Sequence, residues 1–262
     1  GIMDLGLTGR SAVITGGSQG IGKATALELA REGANVLICS RSEDVLNAAE
    51  SEIKQVASGE VLSMRADVTA PEDIASVIAH AEKSFGGLDI LINNAGQSAA
   101  KSFEDVDDEL WDYDLDLKLK AAIRCSRLAV PALRKSAHGR IINVTAVAGK
   151  APRAGSLPTS VSRAAGIALT KAMSLDLAKY GILVNTICIG LIKSGQIDRA
   201  TQSAFPDLDL AEAYAERGKS LPLGRVGEAS EVADLITFLV SDRGSYITGS
   251  AINADGGSSA VV

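Results

Sequence analysis

The rhythm of this chain limits its fold more than any other feature. Short aliphatic runs at 11–15, 35–39, 60–66, 88–92, 140–145, 183–189 and 250–253 alternate with amphipathic stretches such as 23–31, 42–56 and 72–84. Most of these runs are largely apolar, as strands covered on both faces must be. Each longer stretch has the length and period of a helix. Strand followed by helix, repeated, predicts a parallel sheet with helices on both faces. The expected architecture is therefore a single-domain, doubly wound, three-layer α/β fold spanning residues 1–262. Hydrophobic residues make up 46% of the chain and aromatics only 3%, so the core is aliphatic. One span, 192–223, breaks the rhythm with Gly195, an acidic run, Pro206 and Pro222, and reads as an irregular lid or specificity insert.

Charge and composition remove several functions. A net charge of −6 with no basic block gives nothing to displace counterions from nucleic-acid phosphates. No apolar run approaches the roughly 20 residues that span a bilayer, and no N-terminal pattern resembles a secretory signal. The expectation is a cytoplasmic protein without nucleic-acid or membrane partners. Cys39, Cys125 and Cys188 form no CxxC pair, and His80 and His138 are the only histidines. No metal site is expected, and the thiols read as buried and inert.

Immediately after the first run comes Thr15-Gly-Gly-Ser-Gln-Gly-Ile-Gly22, leading into an alanine-rich helix. Glycines permit a tight turn and close backbone approach to a pyrophosphate, and the helix start offers free N–H groups and a positive dipole end. The candidate binding residues here are Gly16, Ser18, Gln19, Gly20, Ile21 and Gly22. The second run ends Cys39-Ser40-Arg41 with no acid at its tip to accept bonds from a ribose 2′-OH. Ser40 can donate a bond and Arg41 can pair with a 2′-phosphate through its fork, or else stand as a solvated loop residue. NADP(H) is the expected cofactor.

The TGxxxGxG spacing resembles the short-chain dehydrogenase/reductase family, in particular its 3-oxoacyl-carrier-protein reductases, and the resemblance runs the length of the chain. Asp67-Val68 matches the family's aspartate near the adenine, and Asn93-Asn-Ala-Gly96 its NNAG turn beside the ribose. Pro222-Leu-Gly-Arg225, Glu231-Val-Ala233 and Asp255-Gly-Gly257 resemble its closing motifs. Ile189-Gly-Leu-Ile-Lys-Ser194 stands where the family usually reads PGxxxT. The resemblance thus implies a Rossmann-like fold, Asp67, Val68, Asn93, Ala95, Gly96, Ile192 and Ser194 at the cofactor, and a homotetramer.

The reacting end departs from that pattern. The family moves a hydride to a carbonyl with an asparagine, serine, tyrosine and lysine. Its YxxSKAA motif here reads Thr159-Ser-Val-Ser-Arg-Ala-Ala165, with Thr159 in the tyrosine's place and Arg163 in the lysine's. Ala146 occupies the serine slot, and Lys118, seven residues after Trp111, the asparagine slot. An aliphatic hydroxyl is too weak an acid to work alone, and arginine releases protons poorly. Lys118 could replace the missing lysine while Arg163 points elsewhere; or Lys118 snorkels to solvent and Arg163 holds the ribose. Two cations in one pocket, joined by Lys150 and Arg153 if they turn inward, suit a small anionic carbonyl substrate. Three functions stay open: an NADP-dependent oxidoreductase with an unusual proton source, a catalytically silent NADP(H)-binding protein, and a non-redox lyase or decarboxylase using the cationic pocket.

Overall fold

The computed structural model describes residues 1–262. In chain order the elements are β1 (Ser11–Thr15), α1 (Gly20–Arg31), β2 (Asn35–Ser40), α2 (Glu43–Lys54), β3 (Val61–Arg65), α3 (Pro71–Phe85), β4 (Ile90–Asn93), β5 (Ala100–Lys101), α4 (Asp108–Leu115) and α5 (Ala121–Leu133). Then follow β6 (Arg140–Ala146), β7 (Leu157–Pro158), α6 (Thr159–Leu177), β8 (Leu183–Ile189), α7 (Gly195–Ala204), α8 (Leu210–Gly218), α9 (Ala229–Val240) and β9 (Ala251–Ala254). Seven strands form one sheet in the order β3-β2-β1-β4-β6-β8-β9, all parallel. This is the doubly wound, Rossmann-like fold expected from the rhythm.

The apolar runs serve two cores at once, because successive side chains leave a strand on opposite faces. Ala12 and Ile14 of β1, Val36 and Ile38 of β2, and Ile90 and Ile92 of β4 face α1, α2 and α9 through Leu29, Leu46, Ile53 and Ile236. Val13, Leu37 and Leu91 face the other way, against Ile74 and Ile78 of α3 and Ala129 and Leu133 of α5. Fully burying each such valine, leucine or isoleucine side chain contributes about 1.5–3 kcal/mol. Helix ends follow local chemistry. α3 starts with Pro71 at its first position and two acids in its first turn, and stops at Gly86, whose φ of 78° is open to glycine without a Cβ penalty.

Three features depart from the expectation, and all bear on the site. The span 192–223 is not irregular: it folds as α7 and α8. Ser194 caps α7 by accepting the Ile197 N–H, and Asp209 and Glu212 form a reciprocal capping box at α8. Between α4 and α5 the helix widens into a π turn over Asp116–Lys120, a local expansion often found at functional sites. Finally, β5 and β7 pair antiparallel, Ala100 with Pro158 and Lys101 with Leu157, which draws the segment after β4 over the start of α6.

Beneath this region a buried polar ladder ties strands to helices. Asn93 Nδ2 donates to Asn143 Oδ1 at 2.9 Å and to Ser126 Oγ at 3.2 Å, and Asn143 Nδ2 donates to Thr170 Oγ1 at 3.0 Å. Asn143→Ala strips partners from both neighbours in a dry interior. Urea unfolding should show a loss of about 1–3 kcal/mol, the cost of unpaired buried polar groups.

Candidate active site

A crevice opens where β1 stands between β2 and β4, because the connections from β1 and β4 depart to opposite sides of the sheet. On the β1 side the glycine turn leaves no room for side chains. Gly16 and Gly20 have φ of 61° and 53°. A Cβ on Gly22 would sit 2.1 Å from Gly16 O, and one on Gly17 would sit 2.7 Å from Ile38 Cβ. Ser18 and Gln19 lie on the rim of this turn and Ile21 in the first turn of α1. No side chain caps α1 and no acid lies in its first turn, so its free N–H groups and positive dipole end stay available to an anion. Thr15 Oγ1 accepts the N–H groups of Asn94 and Ala95, and Asn94 Nδ2 donates to Gly16 O, so the turns after β1 and β4 are locked together. Opposite them stands Ser194, whose Cβ is 3.7 Å from where a Gly20 Cβ would be, while Ile192 is buried and bridges to Gly227.

At the tip of β2, Ser40 Oγ is buried without a hydrogen-bond partner in the chain, an arrangement that calls for an external one. Arg41 is exposed beside it, and Arg65 follows in register on β3. Thr69 holds the Asp67 carboxylate below its usual range, helped by the positive charges of Arg41 and Arg65. Two cations and an unsatisfied hydroxyl fit a phosphate, and the glycine cradle fits a pyrophosphate; together they suit NADP(H). Val68 is buried against Leu117 and Ala121, with Ala95 packed beside them. The Asn93 side chain turns inward to the polar ladder, where its Nδ2 bonds Asn143 and Ser126.

The reacting end is built by α4, the π turn and α6. Lys118 does not reach solvent: its side chain is 0% exposed. Its Nζ lies 2.6 Å from Asp114 Oδ1 and donates to Thr159 Oγ1 at 3.0 Å. Thr159 Oγ1 also accepts the Ala99 N–H at 2.9 Å. Burial, reinforced by the charge of Arg163 and opposed by Asp114, pulls the Lys118 ammonium down to about 8. Arg163, one turn after Thr159, donates from Nη1 to Val144 O at 3.2 Å and leaves Nε without an acceptor. Burial lowers its guanidinium to about 10, against the pull of Asp114, so it stays charged near neutrality. It also lies against Gly96, where a Cβ would come within 2.9 Å of Arg163 Nη2.

Sequence reasoning missed Asp114, although an acid four residues before Lys118 is a helix-pair signal. It changes the electrostatics: two cations and one carboxylate leave a net single positive charge. Lys150 does not turn inward, because its Nζ donates to Ala251 O at 2.8 Å, and Arg153 is exposed. Ala146, at the end of β6, contributes no polar group. No three His, Cys, Asp or Glu side chains gather where they could hold a metal, and no helix is long and apolar enough to cross a membrane.

A family model described as enoyl-(acyl carrier protein) reductase matches residues 16–259. The oxidoreductase UcpA of Salmonella typhimurium is 33% identical over 253 residues, covering 96% of this chain and 95% of its own. Among solved structures, the L-sorbose reductase of Gluconobacter frateurii complexed with NADPH and L-sorbose superposes with a TM-score of 0.95 at 33% identity, covering 99% of this chain and 100% of its own. An NADPH-bound short chain oxidoreductase of Pseudomonas aeruginosa, described as containing an atypical catalytic center, superposes with a TM-score of 0.91 at 34% identity, covering 97% and 99%.

Removing one member of the buried ion pair should cost more than removing both. Lys118→Met leaves the enclosed Asp114 carboxylate without its hydrogen-bonded cation and is expected to lose about 3–5 kcal/mol in chemical denaturation. Adding Asp114→Asn should restore most of it, and an additive double variant would contradict the pairing.

Proposed function

The chain belongs to the short-chain dehydrogenase/reductase family, and from that premise we propose that it is an NADP(H)-dependent oxidoreductase that interconverts a carbonyl and an alcohol through Lys118 and Thr159. The observation that carries this reading is the buried line Asp114–Lys118–Thr159, which ends on a hydroxyl whose proton is free to be donated. Support for the cofactor comes from the glycine cradle, the unpartnered Ser40 hydroxyl beside Arg41 and Arg65, and the NADPH named for two similar structures.

When bound, the cofactor supplies a hydride from its reduced nicotinamide to a carbonyl carbon. The chain has to supply the proton. Thr159 Oγ accepts from both Ala99 N–H and Lys118 Nζ, so its own O–H is left to point at an oxygen in the crevice. A lone threonine hydroxyl is far too weak an acid. With the Lys118 ammonium at 3.0 Å, however, the hydroxyl can gain a proton as it gives one away and carries no charge at any stage. Lys118 ends neutral and regains its proton through Thr159 once product has left and water refills the crevice. A donor near 8 is matched to this task at cellular pH. Asp114 holds the ammonium in place. Arg163 offers its fixed charge to the oxygen as it becomes negative and, beside Gly96, can hold a ribose hydroxyl. The single net positive charge serves the developing alkoxide, so the pocket does not require an anionic substrate. Exposed apolar side chains on α5 and α6, Leu128, Val161 and Leu175, support a homo-oligomer built along those helices.

The pH dependence has a definite sign. Carbonyl reduction needs protonated Lys118, so kcat should be flat below about 8 and fall tenfold per unit above it. Alcohol oxidation needs the neutral amine and should rise through the same region. Steady-state NADPH oxidation against a panel of ketones and keto acids measures this, and absence of turnover with every carbonyl would favour a silent binding protein. Thr159→Val removes the relay at nearly constant volume. It should lower kcat by about 10²–10⁴-fold with little change in NADPH affinity by fluorescence.

A further inference from the structure

One hydrogen-bond chain enters the reacting end from the side opposite Asp114. Gln196, in the first turn of α7, grips both polar groups of Ser98: its Oε1 accepts the Ser98 N–H at 3.0 Å, and its Nε2 donates to Ser98 O at 2.9 Å. The Ser98 carbonyl and the Ala99 N–H belong to one peptide unit, which is planar and trans. They therefore point in opposite directions, the carbonyl toward Gln196 and the N–H toward Thr159 Oγ1 at 2.9 Å.

Apart from these two contacts, the peptide has no hydrogen bond to hold its plane, since neither its carbonyl nor its N–H joins a backbone pair. Ser98 is exposed, and two residues upstream Gly96 has φ of 155°, a conformation that favours glycine and leaves a pivot. Gln196 thus decides where the Ala99 N–H points. That N–H fills one lone pair of Thr159 Oγ1 while Lys118 fills the other. Only with both filled is the hydroxyl proton confined to the direction of the crevice.

We propose that Gln196 is a positioning residue that, by holding the 98/99 peptide plane, sets the aim of the Thr159 hydroxyl. The inference rests on the proton relay proposed above and adds its control. With Gln196 seated, the line Gln196–peptide 98/99–Thr159–Lys118–Asp114 is continuous, and bonds in such a line strengthen one another. Without the Gln196 side chain the peptide plane is free to turn, Thr159 Oγ1 loses the Ala99 N–H as a donor, and the relay is misaligned.

The test uses the full-length protein with Gln196→Met, which keeps side-chain length without donor or acceptor, and Gln196→Glu, which can accept from Ser98 N–H but repels its carbonyl. Both should lower kcat by about 10–100-fold, the scale of a small misalignment of reacting groups. KM for NADPH, melting temperature and the pH break near 8 should stay close to wild type. Independently of turnover, amide exchange at Ala99 should quicken at least tenfold in both variants. Unchanged kcat in Gln196→Met, unchanged Ala99 exchange, or a loss of NADPH affinity and melting temperature in step with kcat would each overturn this positioning role. A wild-type protein inert toward every carbonyl sinks the oxidoreductase reading instead, and Ala99 exchange then decides the positioning role alone.

Discussion

An ammonium group with no access to water must be compensated where it stands, and the enclosed Lys118 Nζ organises this end of the molecule. Asp114 answers its charge and Thr159 takes one of its remaining protons. Neither partner is placed by accident. The helix running from Asp108 to Leu133 widens at Asp116–Lys120, within the stretch that carries Lys118. The β5–β7 ribbon sets Thr159 at the first position of α6, directly after Pro158. Burial lowers the pKa of this ammonium and Arg163, one turn further, adds to the effect, so the same burial that demands a counter-ion also makes the group easier to deprotonate.

The two ends of the crevice are held by different physics. At the dinucleotide end, recognition depends on what is missing: side chains at Gly17 and Gly22, a cap on α1, a partner for Ser40 Oγ. That leaves backbone N–H groups and a helix dipole open to an anion, in a turn with no room for added side chains. At the reacting end, function depends on what is present and paired. There Asp114, Lys118 and Thr159 satisfy one another's charge and hydrogen-bonding capacity inside the protein.

The legibility of the chain differs by element. Strands and flanking helices could be read because a doubly covered strand must be apolar throughout and its helices amphipathic; β1, β2 and β8 fall at or within one residue of their expected limits. The helices within 192–223 are hidden in the sequence because Gly195, Pro206, Pro222 and the acids imitate the signals of a loop. The acids are in part caps: Asp209 and Glu212 start α8. Asp114 was visible as an i,i+4 partner of Lys118, yet spacing alone does not reveal that the pair is buried. The two-residue strands at Ala100–Lys101 and Leu157–Pro158 carry no periodic signal, so the ribbon that presents Thr159 was invisible.

Sequence by itself determined the layered α/β architecture, the glycine cradle and the absence of an acid at the tip of β2. These depend on residue type and local spacing, where steric limits act within a few positions. Tertiary structure alone decided that Lys118 faces inward to Asp114 and Thr159, that Lys150 leaves for the Ala251 carbonyl, and that Gln196 reaches Ser98. Burial and electrostatic balance are properties of surroundings drawn from distant parts of the chain. No local pattern states whether a lysine will end in water or opposite a carboxylate.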